Sequence, residues 1–182
     1  MSDDGTRTDR YRICFVGCSD VCRSPMAVAV LSKLAAERGV GHLLEVDSAG
    51  TNGARAGEST DPGALYALAA RGYDGTGHLA RQFDPSWIAA RDLVVALDRS
   101  GLRLLSIEAG EELATRVVPA RQFDPASHGT LDVPDPYGGS HEEFDRSLDI
   151  IERSCAGILD HLDTSGGRAA LTPPAGADAR RR

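Results

Sequence analysis

A short loop near the start of the chain combines thiols, a cation and a hydroxyl. The stretch F-V-G-C-S-D-V-C-R-S-P holds Cys18 and Cys22 close to Arg23 and Ser24. A loop that leads into a helix presents several backbone N–H groups to one point, where the helix dipole favours an anion such as phosphate. Arg23 adds a planar charged fork for two anion oxygens, and the Ser24 hydroxyl can donate to the same anion or to a thiolate. These residues predict an oxyanion-binding loop over 17–24, in which a thiol has a lowered pKa and acts as a nucleophile.

A second stretch, D-V-P-D-P-Y-G-G-S-H-E-E-F, places Asp135 between two prolines and ahead of Tyr137. Proline restricts the backbone on both sides, so a stiff loop carries the carboxyl group, as a general acid requires. Both stretches also have a plainer interpretation. The first fits a strand-to-helix turn with Ser24 as the N-cap and buried cysteines, and the second fits an ordinary Pro-Asp-Pro turn.

The segments around these stretches alternate between strand and helix patterns. A short apolar run enters loop 17–24, and apolar residues at helical spacing follow it as far as Gly39. Such alternation predicts an α/β fold with a doubly wound parallel sheet, which binds ligands in loops at the carboxyl ends of its strands. Loop 17–24 lies at such an end. The predicted strands are 12–16, 43–46, 92–97 and 116–118, and the predicted helices are 24–38, 61–71, 100–105 and 142–162.

Composition and charge argue against several classes of function. The chain has 182 residues and 41% apolar content, so we predict one domain over 11–164 with disordered segments at 1–10 and 165–182. The 20 Lys and Arg residues against 27 Asp and Glu give a net charge of −7, and the scattered arginines argue against a nucleic-acid partner. No apolar run has the length of a membrane span and the first residues are too polar for a signal peptide, so we expect a cytoplasmic protein without a membrane partner. The 4 cysteines fit neither a secreted disulfide framework nor a zinc pattern, and no metal or cofactor is predicted.

Several motifs occur in order along most of the chain. They are I-C-F-V at 13–16, C-R-S-P at 22–25, S-A-G-T at 48–51, H-L-A-R-Q at 78–82, L-V-V-A-L-D at 93–98, F-D-P at 123–125 and D-P-Y at 135–137. This set resembles the low-molecular-weight protein tyrosine phosphatases, an α/β family that also contains arsenate reductases. The resemblance covers about 12–162 and implies a flavodoxin-like fold with a four-stranded parallel sheet. It also implies that Arg23 binds phosphoryl oxygens, that Asp135 protonates the leaving oxygen, and that the partner is a phosphorylated protein or a small-molecule anion.

One position departs from the family pattern at the nucleophile. In the family, a cysteine at the end of the first strand attacks phosphorus, and it lies six residues before the arginine. Counting back six residues from Arg23 reaches Gly17. Cys18, the next residue, is then the candidate for a displaced nucleophile, whereas Cys22 matches a second cysteine that the family has in this loop.

Other departures concern the walls and the charge of the loop. Ser19 and Asp20 stand where the family has a Gly-Asn pair, and a solvated carboxylate beside a bound phosphate opposes it by roughly 1 kcal/mol. Ala54 stands where the family often has an aromatic residue, and Gly138 stands where a second tyrosine commonly follows. Both changes open the walls that would grip a phosphotyrosine ring.

Three functions remain open at this point. They are an atypical or weak phosphatase-like hydrolase, a pseudophosphatase that binds without chemistry, and an enzyme adapted to another small molecule that uses the loop amides as an oxyanion site. The predicted catalytic residues are Asp135, Arg23 and Cys18. The predicted anion-binding residues are Gly17, Ser19, Asp20, Val21, Cys22, Ser24, Ala54 and Tyr137.

Overall fold

Residues 10–164, which the computed structural model describes, build a four-stranded sheet with helices on both faces. The strands are β1 (Tyr11–Gly17), β2 (Leu44–Gly50), β3 (Leu93–Ala96) and β4 (Val117–Pro119). The helices are α1 (Arg23–Glu37), α2 (Pro62–Ala70), α3 (Trp87–Ala90), α4 (Arg99–Leu113) and α5 (His141–Thr164). Short 3₁₀ turns lie at Gly41–Leu43, Ala114–Arg116 and Ala120–Phe123. The predicted terminal segments 1–10 and 165–182 fall outside the described residues, except for Arg10.

All strand pairs are parallel, and the strand order is β2-β1-β3-β4. Gly17 at the end of β1 pairs with Gly50 at the end of β2, and Val16 pairs with Ala96 at the end of β3. The carboxyl ends of these three strands therefore meet at one edge of the sheet. The predicted doubly wound, flavodoxin-like α/β fold is confirmed.

Alternating side chains of β1 divide the core between the two faces of the sheet, as strand geometry requires. Ile13 and Phe15 belong to the larger cluster, which includes buried residues of α1, α2 and α5. Cys14 and Val16 belong to the smaller cluster, which includes Leu105 and other residues from the α3 and α4 side. The helices on both faces bury the central strands, so the continuous apolar runs of β1 and β3 are explained.

Three elements differ from the predicted bounds. β2 continues to Gly50 although D-S-A-G has low strand propensity, because these residues pair with the second half of β1. α4 extends to Leu113, past the predicted end at 105, with a kink at Gly110, where φ is 60°. Leu105 and Ala109 are buried on one face, while most other positions are polar and exposed. The one-turn helix α3 was not predicted, since four residues carry too little periodicity to recognise. Within residues 10–164, none of the helices combines the length and hydrophobicity that crossing a bilayer would need.

Candidate active site

The loop between β1 and α1 is anchored by close contact with the chain that follows β2. Thr51 N donates to Gly17 O at 2.9 Å, and Asn52 N donates to Cys18 O at 3.0 Å. A Cβ atom at position 50 would lie 2.7 Å from Cys18 O, so only glycine permits this approach. The Cys22 side chain makes no capping hydrogen bond to α1, and the first turn of α1 has no acidic residue. The N-terminal amides of α1 are therefore suited to an anion.

Arg23 connects three segments at this edge of the sheet. Its Nη1 donates to Asp98 Oδ2 and to Val133 O, and its Nη2 donates to Asp135 Oδ2, each at 2.9 Å. The Arg23 side chain is 5% exposed, whereas that of Asp135 is 46% exposed. The guanidinium is thus fixed by Asp98, just after β3, and by Val133 and Asp135 in the segment before α5.

Asp135 is positioned by its neighbours on both sides. Tyr137 N donates to Asp135 Oδ1 at 3.3 Å, which closes a local turn. Val133 N donates to Leu97 O at 2.8 Å, and Ser147 Oγ of α5 donates to Pro134 O at 2.8 Å. Asp135 is therefore held in a fixed loop and forms an ion pair with Arg23, a contact that the sequence analysis did not predict.

Asp20 has a left-handed backbone and a fully buried carboxylate. Its φ angle is 59°, a region that Asp and Asn enter more readily than most residues. Ser24 Oγ donates to Asp20 Oδ1 at 2.8 Å, and Arg81 N donates to Oδ2 at 3.1 Å. Burial raises the pKa of Asp20, and hydrogen bonds from Ser48, Ser24 and Arg81 together with the nearby His78 lower it by less. This carboxylate therefore supports the loop from beneath.

Almost all the predicted site residues line one cavity of about 230 Å³. Ala54 is the exception: its side chain is exposed, and the neighbouring Arg55 lines the cavity instead. A wider groove of about 790 Å³ lies between α1, β2 and residues 72–81, but it contains none of the predicted catalytic residues. The smaller cavity is lined by Gly17, Cys18, Ser19, Asp20, Val21, Cys22, Arg23, Ser24, Arg55, Asp135 and Tyr137.

The 4 cysteines differ sharply in environment. Cys18 is exposed, and Asn52 Nδ2 donates to its sulfur at 3.0 Å. Burial, aided by Asp61 and Asp135, raises the pKa of Cys22 to about 12, so this residue is a neutral thiol near pH 7. Burial also raises the pKa of Cys14, which lies beside Asp47, and of Cys155. Cys18 is thus the one accessible thiol.

Position 17 faces the interior of the loop. A Cβ atom there would lie 3.2 Å from Ser24 Oγ and 3.7 Å from Leu97 Cδ1. A side chain at this position would therefore extend beside the Ser24 hydroxyl, at the end of β1. Within the described part of the chain, no group of three or more His, Cys, Asp or Glu side chains is arranged to hold a metal ion.

Two residues at the site, Asp98 and Arg55, were not predicted from the sequence. Asp98 both caps α4, by accepting from Gly101 N at 2.8 Å, and binds Arg23. Its position directly after a buried strand was a usable signal, because the carboxyl ends of parallel strands share one edge. Arg55 lies in a turn outside the recognised motifs, and nothing in the local sequence marks it.

Comparison with known proteins agrees with this geometry. The family model described as low molecular weight phosphotyrosine protein phosphatase matches residues 12–167. A low molecular weight protein-tyrosine-phosphatase from Streptomyces coelicolor is 47% identical over 151 residues, covering 82% of this chain and 92% of that protein. The low molecular weight protein-tyrosine phosphatase A of Mycobacterium tuberculosis is 42% identical over 158 residues, covering 86% of this chain and 94% of that protein.

A solved structure extends the agreement to the whole fold. The crystal structure of a protein tyrosine phosphatase from Entamoeba histolytica, with Hepes in the active site, superposes with a TM-score of 0.81 at 27% identity. The match covers 85% of this chain and 98% of that one. The resemblance seen in the motifs is confirmed, and the chain belongs to the low molecular weight phosphotyrosine protein phosphatase family.

Proposed function

We propose that loop 17–24 binds the phosphoryl group of a phosphorylated protein or small molecule, and that the protein hydrolyses phosphomonoesters atypically and weakly. One observation carries the proposal: Arg23 and Asp135 are joined at 2.9 Å beside an uncapped helix N-terminus, in one small cavity. Arg23 and the loop amides would bind the phosphoryl oxygens. Asp135 would then protonate the leaving oxygen.

Binding and proton transfer are coupled through the same ion pair. Arg23 already donates to Asp98 and Asp135, so an anion must compete with a carboxylate for the guanidinium fork. The more exposed partner, Asp135, is the one that can move aside. A bound phosphoryl group would thereby release Asp135 for its role as a general acid.

Weak turnover follows from the proposed nucleophile position. Position 17 lies six residues before Arg23 and faces the Ser24 hydroxyl, yet it has no side chain. Cys18 would replace it as nucleophile, but its sulfur is held by Asn52. Attack requires near-contact geometry, so a thiol displaced by one residue reacts slowly.

The same observation supports a second candidate, a pseudophosphatase that binds phosphate without cleaving the ester. Gly17 favours this candidate, because it leaves Cys18 as the one accessible thiol. If Asn52 keeps the Cys18 sulfur away from phosphorus, no thiol can attack. The substrate and a cytoplasmic location stay predictions from the sequence, as does the absence of nucleic-acid and membrane partners.

Hydrolysis of p-nitrophenyl phosphate distinguishes the two candidates. We expect slow turnover by the wild type, and we expect Cys18→Ser and Asp135→Asn each to reduce it by on the order of 100-fold. Cys155→Ala is the matched control, because it removes a buried thiol remote from the cavity and should leave turnover intact. Titration calorimetry with inorganic phosphate checks that each variant still binds the anion.

The outcomes separate cleanly. A wild type that binds phosphate but gives no turnover above buffer supports the pseudophosphatase. A wild type that does not bind phosphate contradicts both candidates. Turnover that survives in Cys18→Ser would exclude Cys18 as the nucleophile.

A further inference from the structure

The mouth of the cavity carries a second guanidinium. Arg55 Nη1 donates to Glu58 Oε2 at 2.8 Å, and Arg55 Nη2 donates to the Tyr137 hydroxyl. The guanidinium carbon also lies 4.3 Å from the centre of the Tyr137 ring, a cation–π contact. These contacts hold the charge of Arg55 at the wall of the cavity.

Arg55 is more available to a ligand than Arg23 is. The Arg55 side chain is 33% exposed, and that of its partner Glu58 is 51% exposed, so the ion pair is solvated and contributes little energy. Within the described residues, the contacts of Arg55 engage two of its five N–H donors. A ligand anion can therefore reach this guanidinium without displacing a buried carboxylate.

The charge of Arg55 acts inside the loop as well as at the rim. The charges of Arg55 and Arg23 lower the pKa of Cys22, which burial raises by more. Both guanidinium groups line the same cavity of about 230 Å³. A small ligand in this cavity can thus meet two cations.

The aromatic surface of the cavity is correspondingly reduced. Arg55 covers one face of the Tyr137 ring, and the exposed Ala54 side chain is not part of the wall. A ligand ring would have to displace the guanidinium to stack on that face. The chemistry of the mouth therefore suits an anionic substituent better than an apolar ring.

We propose that Arg55 is a specificity-determining residue, which makes the site prefer phosphorylated ligands that carry a second negative group next to the phosphoester. The inference rests on the proposed phosphate-binding function of loop 17–24 and adds the class of ligand. The phosphoryl group occupies the loop at Arg23. The second anion, a carboxylate or another phosphate, receives hydrogen bonds from the Arg55 fork.

Two ligands that differ by one group test this inference. Phosphoglycolate and ethyl phosphate share a phosphoester on a two-carbon chain, but only phosphoglycolate has a carboxylate. We expect the wild-type protein of 182 residues to bind phosphoglycolate about tenfold more tightly than ethyl phosphate by titration calorimetry, the size of one charge-assisted hydrogen bond. In Arg55→Ala the two affinities should converge, because the carboxylate loses its hydrogen-bond donor while both ligands keep the phosphoryl contacts of loop 17–24.

Two further variants control for charge and geometry. Arg103→Ala removes the same charge from an exposed position of α4 outside the cavity, and it should keep the tenfold preference. Arg55→Lys retains the charge without the planar fork and should keep only part of the tenfold preference for phosphoglycolate. A preference that falls equally in Arg55→Ala and Arg103→Ala would show a net-charge effect and would overturn the inference.

The result for the wild type distinguishes failure of this inference from failure of the proposed phosphate binding by loop 17–24. Equal binding of both phosphoesters by a protein that binds inorganic phosphate overturns the role of Arg55 and leaves the phosphate loop standing. A preference that survives in Arg55→Ala likewise overturns it. Failure to bind any of the three ligands overturns the phosphate loop and this inference together.

Discussion

At the scale of single residues, the chemistry proposed for this site depends on one missing side chain. Arg23 and Asp135 are held by hydrogen bonds of 2.9 Å, and an anion that binds the guanidinium would displace the exposed Asp135 carboxylate. Position 17 ends β1 and faces the Ser24 hydroxyl, but glycine supplies no atom that can attack phosphorus. In the proposed function, loop 17–24 is a phosphate cradle and the neighbouring Cys18 would supply the nucleophile.

Gly17→Cys should therefore raise turnover of p-nitrophenyl phosphate by on the order of 10³ or more, since loss of a covalent nucleophile commonly costs at least that much. The new Cβ would lie 3.2 Å from Ser24 Oγ, a contact that a small rotation of the serine side chain relieves. The thiol would sit at the N-terminus of α1 near Arg23, where its pKa is expected to fall. Steady-state kinetics on the purified variant measures the gain.

Gly17→Ser is the matched control for this gain, because it adds a side chain of similar size without a thiol. It should fold and bind phosphate but show no increase in turnover. The added activity of Gly17→Cys should disappear when Asp135→Asn is combined with it. If Gly17→Cys binds phosphate and stays as slow as the wild type, position 17 is not the position of attack.

At the scale of elements, the sequence predicted the helices and strands whose residue pattern follows from burial, and it missed strand residues whose conformation depends on pairing with a distant segment. The apolar runs of β1 and β3 and the helical spacing of α5 gave bounds within a few residues, because the two strands are largely buried and α5 buries one face along its length. The second half of β2 was missed, since its strand conformation is imposed by pairing with β1.

The same distinction holds within the site. Loop 17–24 was found from contiguous residues, whereas the placement of Asp135 beside Arg23 required the family resemblance. Asp98 contacts Arg23, 75 residues away in the chain, and Arg55 contacts Tyr137, 82 residues away. No local pattern of residue types encodes such contacts, although the edge rule for parallel strands was sufficient for Asp98.

The loop between β1 and α1 contains a buried carboxyl group, that of Asp20, from which a pH-dependent contribution to stability is expected. Because burial raises the pKa of Asp20 in the folded state, the folded protein binds a proton more tightly than the unfolded chain does. Stability is therefore greatest below the ordinary carboxyl pKa of about 3.9 and is lost as the pH rises through the folded-state pKa, as far as this group is concerned.

Asp20→Asn should raise the melting temperature at pH 7 by a few degrees, and the difference should shrink toward pH 4. The asparagine oxygen can still accept from Arg81 N, its amide can donate to Ser24 Oγ, and asparagine tolerates the left-handed backbone of this position. Thermal unfolding by circular dichroism between pH 4 and pH 8 provides the comparison. A variant less stable than the wild type at pH 7 would mean that the carboxylate charge stabilises the loop.

At the scale of the whole molecule, α5 connects the core to the segment that carries Asp135. Its buried face packs on α1 and α2, and Ser147 holds the carbonyl of Pro134. Near its other end, α5 lies against the turn Ala120–Phe123, where the chain leaves β4. This contact is unusually close: a Cβ atom at Gly157 would lie 2.0 Å from Phe123 O. The helix can approach the turn only because position 157 is glycine.

Gly157→Ala should therefore lower the free energy of unfolding by about 1–3 kcal/mol, because α5 or the turn must shift to admit the methyl group. In an unobstructed helix the same change would add about 1 kcal/mol through helix propensity, so the sign of the effect identifies the steric cause. Urea denaturation followed by circular dichroism measures it. The neighbouring variant Ala156→Gly, at a half-buried position without this close contact, reports mainly the propensity effect and should cost about 1 kcal/mol. If Gly157→Ala instead raises the free energy of unfolding by about as much as Ala156→Gly lowers it, α5 does not depend on this close approach. The segment from β4 to Asp135 must then be positioned by its other contacts, among them those of Asp132, Val133 and Pro134.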